Sequence, residues 1–413
     1  MREMKDSGIP WVGEIPKNWE IIKGKYILIY LQRPILSTDK VITCFRDGEV
    51  TLRSNRREDG FTISEKEIGY QGIDVGDLVV HGMDGFAGSI GISDSRGKAS
   101  PVLNVLNSSQ DKKFLMYYLR SMAYNNVFLA LSTGIRVRSC DLNWNKLANL
   151  PYAIPPINEQ QRIADFLDAK CAKINSIKKN VEAEIETLKQ YKKSVITEAV
   201  TKGLDKNVEM KESGIPWIGK IPKDWQLTRI KYTCNSRSEK AFFNHKYNKY
   251  LGLENVVGFS NEIIDTNASY ADGYYDIYKY GDVLFSKLRP YLGKVLIATQ
   301  DGFCTGEFIR LFNYHGDRRF LRYWMMNNQF INEVNNSTYG TKMPRANPEF
   351  IMNMPIPALL YKIQHRIADY LDTKCARIDS IIQKKQELLA NLDTYKKSLI
   401  YEYVTGKKEV PAV

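Results

Sequence analysis

The chain has 413 residues and a formal net charge of +12, with 43% hydrophobic and 26% charged residues. These proportions are typical of folded globular domains, and the absence of any run of about 18 apolar residues excludes a membrane-spanning helix. The length allows two or three domains, and the basic excess favours a polyanionic partner.

The six cysteines give no sign of a disulfide framework or a metal centre. No two lie at Cys-x-x-Cys spacing, and none pairs with a histidine at a zinc-ligand interval. No apolar segment of a secretory leader follows Arg2 and Lys5. We therefore expect a cytoplasmic protein with reduced thiols.

The chain opens on a stretch that it later repeats: "SGIPWVGEIPKNWE" at 7–20 returns as "SGIPWIGKIPKDWQ" at 213–226. Three further pairs match in the same order: "GDLVVHGMDGFAGSIGIS" (76–93) with "GDVLFSKLRPYLGKVLIA" (281–298), "QRIADFLDAKCAKINSI" (161–177) with "HRIADYLDTKCARIDSI" (365–381), and "YKKSVITEAVTKG" (191–203) with "YKKSLIYEYVTGK" (395–407). The chain is therefore two copies of one unit. Two copies favour a pseudo-dimer with an approximate two-fold axis.

The middle of each copy predicts a mixed α/β domain. The turn dipeptides Gly76-Asp77 and Gly281-Asp282 lead into β-rich runs, and "SIGIS" and "KVLIA" are the expected partner strands. An amphipathic helix should follow in each copy, over 112–131 and 317–335. Outside these segments the middles have diverged, which indicates a constant scaffold that presents two different surfaces.

Each copy ends in a long helix. No proline or glycine occurs over 158–202 or 362–405, so each helix should be about 65 Å long. We assign the apolar a and d positions to Ile174, Ile177, Val181, Leu188, Tyr191 and Val195 in the first helix, and to Ile378, Ile381, Leu388, Leu392, Tyr395 and Leu399 in the second. Glu184 then interrupts the first series at a d position, and Lys385 interrupts the second at an a position. An antiparallel coiled coil places these two side chains together.

The repeated opening stretch should join each domain to the coil. Its second copy follows the end of the first long helix, so the first copy should lie against the end of the second helix, near Tyr401–Thr405. Trp11 and Trp19, with Trp217 and Trp225, are then packing anchors that fix each domain's angle to the coil.

The sequence offers little catalytic chemistry. Only four histidines occur, and neither a His-Glu-x-x-His motif, a phosphate-binding loop nor a nucleophile elbow is present. "NPEF" at 347–350 approaches the Asn-Pro-Pro-[Phe/Tyr] motif of amino-methyltransferases, but Glu349 replaces the second proline, and we interpret the stretch as a loop.

Clusters of basic residues, two of them in glycine-containing loops, are better candidates for function. Arginine can read guanine, and lysine can reach phosphates. The candidate DNA-binding residues are Arg53, Arg56, Arg57, Arg136 and Arg138 in the first copy and Lys287, Arg289, Lys294, Lys342 and Arg345 in the second. Two alternatives stay open from the residues: a stand-alone DNA methyltransferase or nuclease, and a coiled-coil scaffold that does not bind DNA.

These residues carry a resemblance. Two diverged domains, each followed by a constant helix with "EQQRIADFLD" or "IQHRIADYLD", resemble the specificity subunit of Type I restriction–modification systems. "GDVLFSKLRPYLGKV" and "GTKMPR" are similar to that family's target-recognition domains. In the first copy "HGMDGFAGS" replaces the basic stretch, so Lys287, Arg289 and Lys294 have no basic equivalents there.

The resemblance implies an α+β fold: two mixed α/β target-recognition domains in tandem, separated by a long antiparallel two-helix coiled coil with pseudo-two-fold symmetry. The implied boundaries are 1–157 for the first recognition domain, 158–206 for the first long helix, 207–361 for the second recognition domain and 362–413 for the second long helix.

The resemblance also implies a mechanism without chemistry in this chain. Each domain would read one half of a bipartite double-stranded DNA site, and the coiled coil would set the spacer. The chain would bind two methyltransferase subunits, which carry S-adenosylmethionine, and through them the restriction and translocation subunits. Because the target adenines must leave the base stack to be methylated, the DNA should be distorted in the working complex.

Overall fold

The computed structural model describes residues 2–56, 68–131, 141–245, 249–266, 270–340 and 342–411. The chain divides into two compact units. Unit 1 consists of Met1–Val181 and Glu387–Val413, and unit 2 is Glu182–Gln386. Each unit thus combines one recognition domain with parts of both long helices. No helix among the described residues is long and apolar enough to cross a membrane.

Unit 1 is an α+β body. Its strands are β1 (Met4–Asp6), β2 (Glu14–Pro16), β3 (Glu20–Lys23), β4 (Leu28–Tyr30), β5 (Ile42–Cys44), β6 (Val50–Leu52), β7 (Gln71–Ile73), β8 (Leu78–His81), β9 (Ile90–Ile92), β10 (Gly97–Ala99), β11 (Leu103–Ser108) and β12 (Pro151–Ile154). Its helices are α1 (Lys112–Tyr124), α2 (Val127–Ala130), α3 (Trp144–Asn149) and the first half of α4 (Ile157–Lys202).

Unit 2 repeats this order. Its strands are β13 (Met210–Glu212), β14 (Lys220–Pro222), β15 (Leu227–Arg229), β16 (Asn235–Ser236), β17 (Lys240–Phe243), β18 (Tyr250–Leu251), β19 (Gly273–Tyr278), β20 (Val283–Ser286), β21 (Val295–Ile297), β22 (Gly302–Cys304), β23 (Phe308–Phe312) and β24 (Pro355–Pro357). Its helices are α5 (Arg318–Met326), α6 (Asn328–Asn336), α7 (Pro348–Asn353) and the first half of α8 (Tyr361–Val404).

Each unit contains a four-stranded antiparallel sheet, and the two sheets have the same strand order. The order is β4-β11-β8-β9 in unit 1 and β16-β23-β20-β21 in unit 2. The predicted hairpins are confirmed, since β8 pairs with β9 and β20 pairs with β21. Leu78, Val79 and Val80 are all fully buried, as expected for a strand covered on both faces. The predicted α+β class is also confirmed.

The diverged middles build different secondary sheets. Unit 1 adds two separate two-stranded pairs, β5-β6 and β7-β10, whereas unit 2 adds one four-stranded sheet, β17-β19-β22-β18, that includes a parallel pair. A common sheet with unlike additions is the arrangement that the uneven repeat indicated.

The single amphipathic helix predicted after each sheet is wrong in one respect, because each is broken in two. In unit 1 the break follows Asn125, and Asn126 adopts the left-handed conformation with φ of 58°, which asparagine tolerates better than most residues. In unit 2 Asn327 follows α5 with an extended backbone, and its side chain accepts a hydrogen bond from the Gln329 N–H, which caps α6.

The prediction for the opening stretch is confirmed. The Tyr401 hydroxyl donates to the Trp11 carbonyl at 3.3 Å. Trp19 is fully buried in the core that also holds Tyr403 and Val404. A glycine ends each long helix with positive φ, Gly203 after α4 and Gly406 after α8.

These glycines make room for the tryptophan anchors. A Cβ atom on Gly406 would lie 3.2 Å from the Trp19 ring, and one on Gly203 would lie 3.2 Å from the Trp225 ring. Such contacts are tighter than ordinary van der Waals distances. The same glycine–tryptophan packing therefore anchors the recognition domain within each unit.

The long helices run antiparallel. In unit 1 the Lys178 ammonium lies 2.5 Å from the Asp393 carboxylate, and in unit 2 the Lys192 ammonium lies 2.7 Å from Asp379. As α4 advances by two heptads, its partner on α8 moves back by two heptads. This is the spacing of an antiparallel pair.

The heptad assignment is wrong at every second position. Five of the residues assigned to the seam are more than one-third exposed: Ile177, Tyr191, Ile381, Leu388 and Tyr395. The buried or half-buried positions lie one residue later, at Lys178, Ile185, Lys192, Ile382, Leu389 and Lys396. Both helices carry apolar residues at the true positions and at the positions one residue earlier. The spacing argument chose the earlier set because it is almost entirely apolar, whereas the true set includes three lysines whose aliphatic stems are covered.

Glu184 and Lys385 do meet, and the Lys385 ammonium donates to the Glu184 carboxylate. The Glu184 side chain is 57% exposed, so it flanks the seam rather than occupying a buried d position. An exposed pair of this kind contributes about 0–1 kcal/mol, so register depends mainly on the buried apolar side chains.

The stretch at 347–350, expected to be a loop, is the start of α7. The Asn347 side chain accepts a hydrogen bond from the Glu349 N–H and so caps the helix, and Pro348 occupies its first position. Asparagine at the cap and proline at the first turn are a helix-start signal. The expectation of a loop overlooked this signal.

Candidate nucleic-acid interface

The two basic loops predicted in unit 2 come together. One loop follows β20, and the other precedes α7. The Arg289 N–H donates to the Pro344 carbonyl at 2.8 Å, and the Ala346 N–H donates to the Lys287 carbonyl at 2.9 Å. Leu288 and Arg345 also form a β-bridge. Two clusters about 50 residues apart in sequence therefore form one basic surface.

Arg289 and Lys342 are the available cations of this surface. Both are exposed, and neither side chain has an ion-pair partner among the described residues. Arg289 adopts a positive φ of 49°, which is strained for a residue with a side chain. Strain of this kind is often found at functional sites. It is held here by the backbone hydrogen bond to Pro344.

Exposed side chains of other types surround the two cations. Tyr291, Tyr339 and Met343 are 49%, 62% and 60% exposed. Tyrosine hydroxyls can donate to phosphate oxygens, and arginine can form two hydrogen bonds to a guanine edge. A cationic surface with exposed tyrosines suits a nucleic-acid backbone and the base edges beside it.

The other three predicted residues of unit 2, Arg345, Lys294 and Lys287, are paired with protein groups or partly buried. Arg345 forms two hydrogen bonds to Glu307, one of them 2.9 Å long, and these hydrogen bonds raise the pKa of its guanidinium. Lys294 donates to the Leu253 carbonyl at 2.6 Å. Burial lowers the pKa of both Lys287 and Lys294. These three residues shape the two loops around the exposed cations.

In unit 1 the predicted residues are partly engaged. Arg53 donates to the Thr43 hydroxyl at 3.1 Å. Arg56 lies 2.7 Å from the Asp47 carboxylate and 4.2 Å from the centre of the Phe45 ring, and its hydrogen bond to Asp47 raises its pKa. Arg57, Arg136 and Arg138 lie outside the described residues, so their roles stay predictions.

Arg53 and Arg56 line a surface cavity of about 850 Å³. Its other polar lining residues include Arg46, Asp47, His81 and Asp84. Arg46 is 64% exposed and lies 3.0 Å from Asp84. The cavity offers arginine donors beside carboxylate acceptors. Such a combination can form hydrogen bonds with both the acceptor and the donor groups of base edges.

Sequence reasoning missed Arg46 and His81. Arg46 precedes Asp47-Gly48, and Asp-Gly between two β-rich runs is the signal of a tight hairpin. Recognising the β5–β6 hairpin would have placed Arg46 at an exposed tip. The His81 Nδ1 accepts hydrogen bonds from the Met83 and Asp84 N–H groups, at 3.2 and 3.0 Å. Burial lowers its pKa, and the imidazole holds the loop that follows β8.

The described residues hold no group of three or more His, Cys, Asp or Glu side chains placed to bind a metal ion. Burial raises the pKa of the Cys44 thiol to about 12, and it raises the pKa of Cys234 to about 11. Both thiols are therefore packing groups rather than nucleophiles.

Comparison with known proteins identifies the family. The model of the "Type I restriction modification DNA specificity domain" family matches residues 55–187 and 222–390. The "Type I restriction enzyme MjaVIII specificity subunit" of Methanocaldococcus jannaschii is 25% identical over 96% of this chain and 94% of its own length. The "Type I restriction enzyme EcoDI specificity subunit" of Escherichia coli is also 25% identical, and the match spans 63% of each chain.

Two solved structures share the fold. A chain from a study described as "Structural basis underlying complex assembly and conformational transition of the type I R-M system" aligns with a TM-score of 0.71 at 14% identity, over 95% of this chain and 99% of that chain. The HsdS subunit from Thermoanaerobacter tengcongensis aligns with a TM-score of 0.52 at 15% identity, over 95% and 98%. With the family match covering more than half of the sequence, the chain belongs to the Type I restriction–modification DNA specificity family.

Proposed function

We propose that this specificity subunit reads a bipartite DNA site, one half with each recognition domain. The observation that carries the proposal is the joined pair of loops in unit 2, which exposes Arg289 and Lys342 beside three exposed side chains that include two tyrosines. The cavity of unit 1 is the corresponding candidate in the other domain. The unlike secondary sheets of the two units support different half-sites and therefore an asymmetric target.

We further propose that the long helices set the distance between the half-sites. At 1.5 Å per residue, the 46 residues of α4 extend about 69 Å. One turn of DNA is about 34–36 Å long, so a helix of this length is compatible with half-sites separated by a turn or more. The ion pairs between the two helices support a fixed antiparallel register.

The partners proposed are two methyltransferase subunits that carry S-adenosylmethionine, together with the restriction subunits that join them. The chain itself performs no chemistry in this account. The exposed apolar side chains on the long helices (Ile177, Tyr191, Ile381, Leu388 and Tyr395) support a docking role. Apolar side chains repeated along a helix are typical of a surface that receives partner helices.

Exchange of one recognition domain tests the proposal. Residues 20–155 are replaced by the corresponding segment of a relative, and methylated adenines are mapped in DNA from cells that express the complex. One half of the methylated motif should change while the other half and the spacer stay the same. A change in both halves, or in neither, would contradict the modular account.

A further inference from the structure

A lysine from the repeated Tyr-Lys-Lys-Ser sequence contacts the recognition domain in each unit. In unit 2 the Lys193 ammonium lies 4.2 Å from the centre of the Phe259 ring. In unit 1 the lysine at the same place in the repeat, Lys397, lies 5.5 Å from the centre of the Tyr124 ring. Both distances are those of cation–π contacts.

The two rings come from unrelated parts of the domains. Phe259 lies in the diverged segment before β19, whereas Tyr124 is the last residue of α1. The repeat therefore does not explain why both lysines meet an aromatic ring. The same contact has been built twice from different sequence, which indicates that the contact itself is required.

Each ring also packs on a glycine of a loop in the four-stranded sheet, the β20–β21 loop for Phe259 and the β8–β9 loop for Tyr124. A Cβ on Gly293 would lie 2.6 Å from the Phe259 ring, and one on Gly88 would lie 3.1 Å from the Tyr124 ring. Both glycines have positive φ, 59° and 97°. They occupy matching places in the repeated sequence.

These loops belong to the candidate DNA interface. Gly293 follows Arg289 and Tyr291 in the loop between β20 and β21, and Gly88 lies between Asp84 and β9. The Phe259 N–H also donates to the Gly293 carbonyl at 2.8 Å. Each ring thus contacts both a lysine of the coiled coil and the loop that faces DNA in the proposed function.

The first lysine of each Tyr-Lys-Lys-Ser sequence, Lys192 or Lys396, bonds to the other long helix. The Lys192 ammonium lies 2.7 Å from both Asp379 carboxylate oxygens and donates to the Phe259 carbonyl at 3.0 Å. In unit 1 Lys396 donates to the Asn175 side chain at 2.9 Å. Phe259 itself has a positive φ of 56°, a strained conformation that its neighbours must hold in place.

We propose that Lys193 with Phe259, and Lys397 with Tyr124, are positioning residues that aim the DNA-reading loop of their own domain from the coiled coil. The aim of each loop determines which base edges its side chains reach. Base discrimination in one half-site therefore depends on one lysine that acts through an aromatic ring and the loop on which that ring packs. This inference rests on the proposed function and adds to it the residues through which the coiled coil positions the DNA-reading loop.

The test uses the full chain in its complex with two methyltransferase subunits. Methylated adenines are mapped for Lys193→Gln, for Lys397→Gln and for the control Lys189→Gln, which removes an exposed lysine one turn earlier on the same helix. The domain exchange first assigns each half-site to its domain. Loss of the Lys193 cation should raise methylation of sites mismatched in the second domain's half by about two- to fivefold, with the first half unchanged. Lys397→Gln should give the mirror result, and Lys189→Gln should change neither half.

A second substitution separates positioning from folding. Phe259→Tyr keeps a ring under the lysine and should retain the wild-type pattern, whereas Phe259→Leu should relax the same half-site as Lys193→Gln. Equal effects of Lys193→Gln on both half-sites, or no effect in a complex that melts at the wild-type temperature, would overturn the inference. If the wild-type complex itself shows no bipartite motif, the proposed function fails instead.

Discussion

Removal of Arg289 and Lys342 is the most direct perturbation of the candidate interface. Both side chains are exposed without an ion-pair partner among the described residues, so alanine substitutions should leave the fold intact. For Lys342→Ala the expected change in stability is about 0.5 kcal/mol or less, and Arg289→Ala keeps a Cβ atom at the same positive φ and so adds no backbone strain. A loss of DNA affinity can then be assigned to contacts with DNA.

The expected magnitude depends on what each cation contacts. A lysine on a phosphate contributes about 1 to the slope of log affinity against log salt, and an arginine on a guanine edge contributes about 1–3 kcal/mol. Lys342→Ala should therefore lower the salt slope by about 1 on any duplex. Arg289→Ala should weaken cognate binding by about fivefold to 150-fold and relax one base position.

The assay is fluorescence anisotropy of the complex with a cognate duplex and with a scrambled duplex, between 50 and 200 mM salt. Lys223→Ala is the matched control, since Lys223 is an exposed lysine of the same unit that pairs with Glu209. Cognate affinity within twofold of wild type at every salt concentration, for the double variant, would refute the assignment of this surface.

Three further predictions concern the scaffold. Ile185→Ala should lower the free energy of unfolding by about 2–5 kcal/mol because Ile185 is buried, whereas Glu184→Ala should lower it by about 1 kcal/mol or less. Denaturant unfolding distinguishes these values, and equal losses would contradict the corrected seam. Trp19→Ala should cost about 3–5 kcal/mol through the cavity it leaves, measured by calorimetry; a melting temperature within 2 °C of wild type would contradict its role as an anchor. Burial lowers the pKa of His81 from 6.5, so below pH 6.5 the unfolded chain binds more protons than the folded chain. The free energy of unfolding should therefore fall as the pH drops from 6.5 to the folded-state pKa, and this group should cause no further loss at lower pH. Thermal melting between pH 7.5 and 5 should show a shallower fall for His81→Gln, and an unchanged slope would remove His81 as the cause.

The parts of the fold that the sequence predicted are those carried by the repeat. The hairpin strands that follow Gly76-Asp77 and Gly281-Asp282 were located because the same turn and β-rich run occur twice. The Trp11 contact with Tyr401 followed from the same argument, since the second copy of the opening stretch follows the end of the first long helix and the first copy should lie against the end of the second. A repeat supplies relations between distant segments that local propensity cannot supply.

The errors arose where one local pattern allowed two structures. Ile177 and Lys178 can each continue the heptad, and the preference for the apolar residue chose the exposed one. The lysine stem is long enough to cross the seam while its ammonium reaches Asp393. Helix breaks at Asn126 and Asn327 were missed because asparagine is tolerated within helices and the break depends on tertiary packing.

The candidate site was predicted only in part. Composition identified the basic stretches, but which cations are exposed depends on partners distant in sequence, as Arg345 shows with Glu307. The joining of the Arg289 loop to the Pro344 loop is likewise a long-range contact. Neither relation has a signal in the local sequence.

The central claim is that this chain selects a bipartite DNA site through its two domains. Mapping methylated adenines in host DNA, with the chain present and with it deleted, tests this claim most directly. The account predicts one asymmetric motif with two half-sites and a constant spacer, present only with the chain. Methylation that persists after deletion, or a single continuous motif without a spacer, would contradict it.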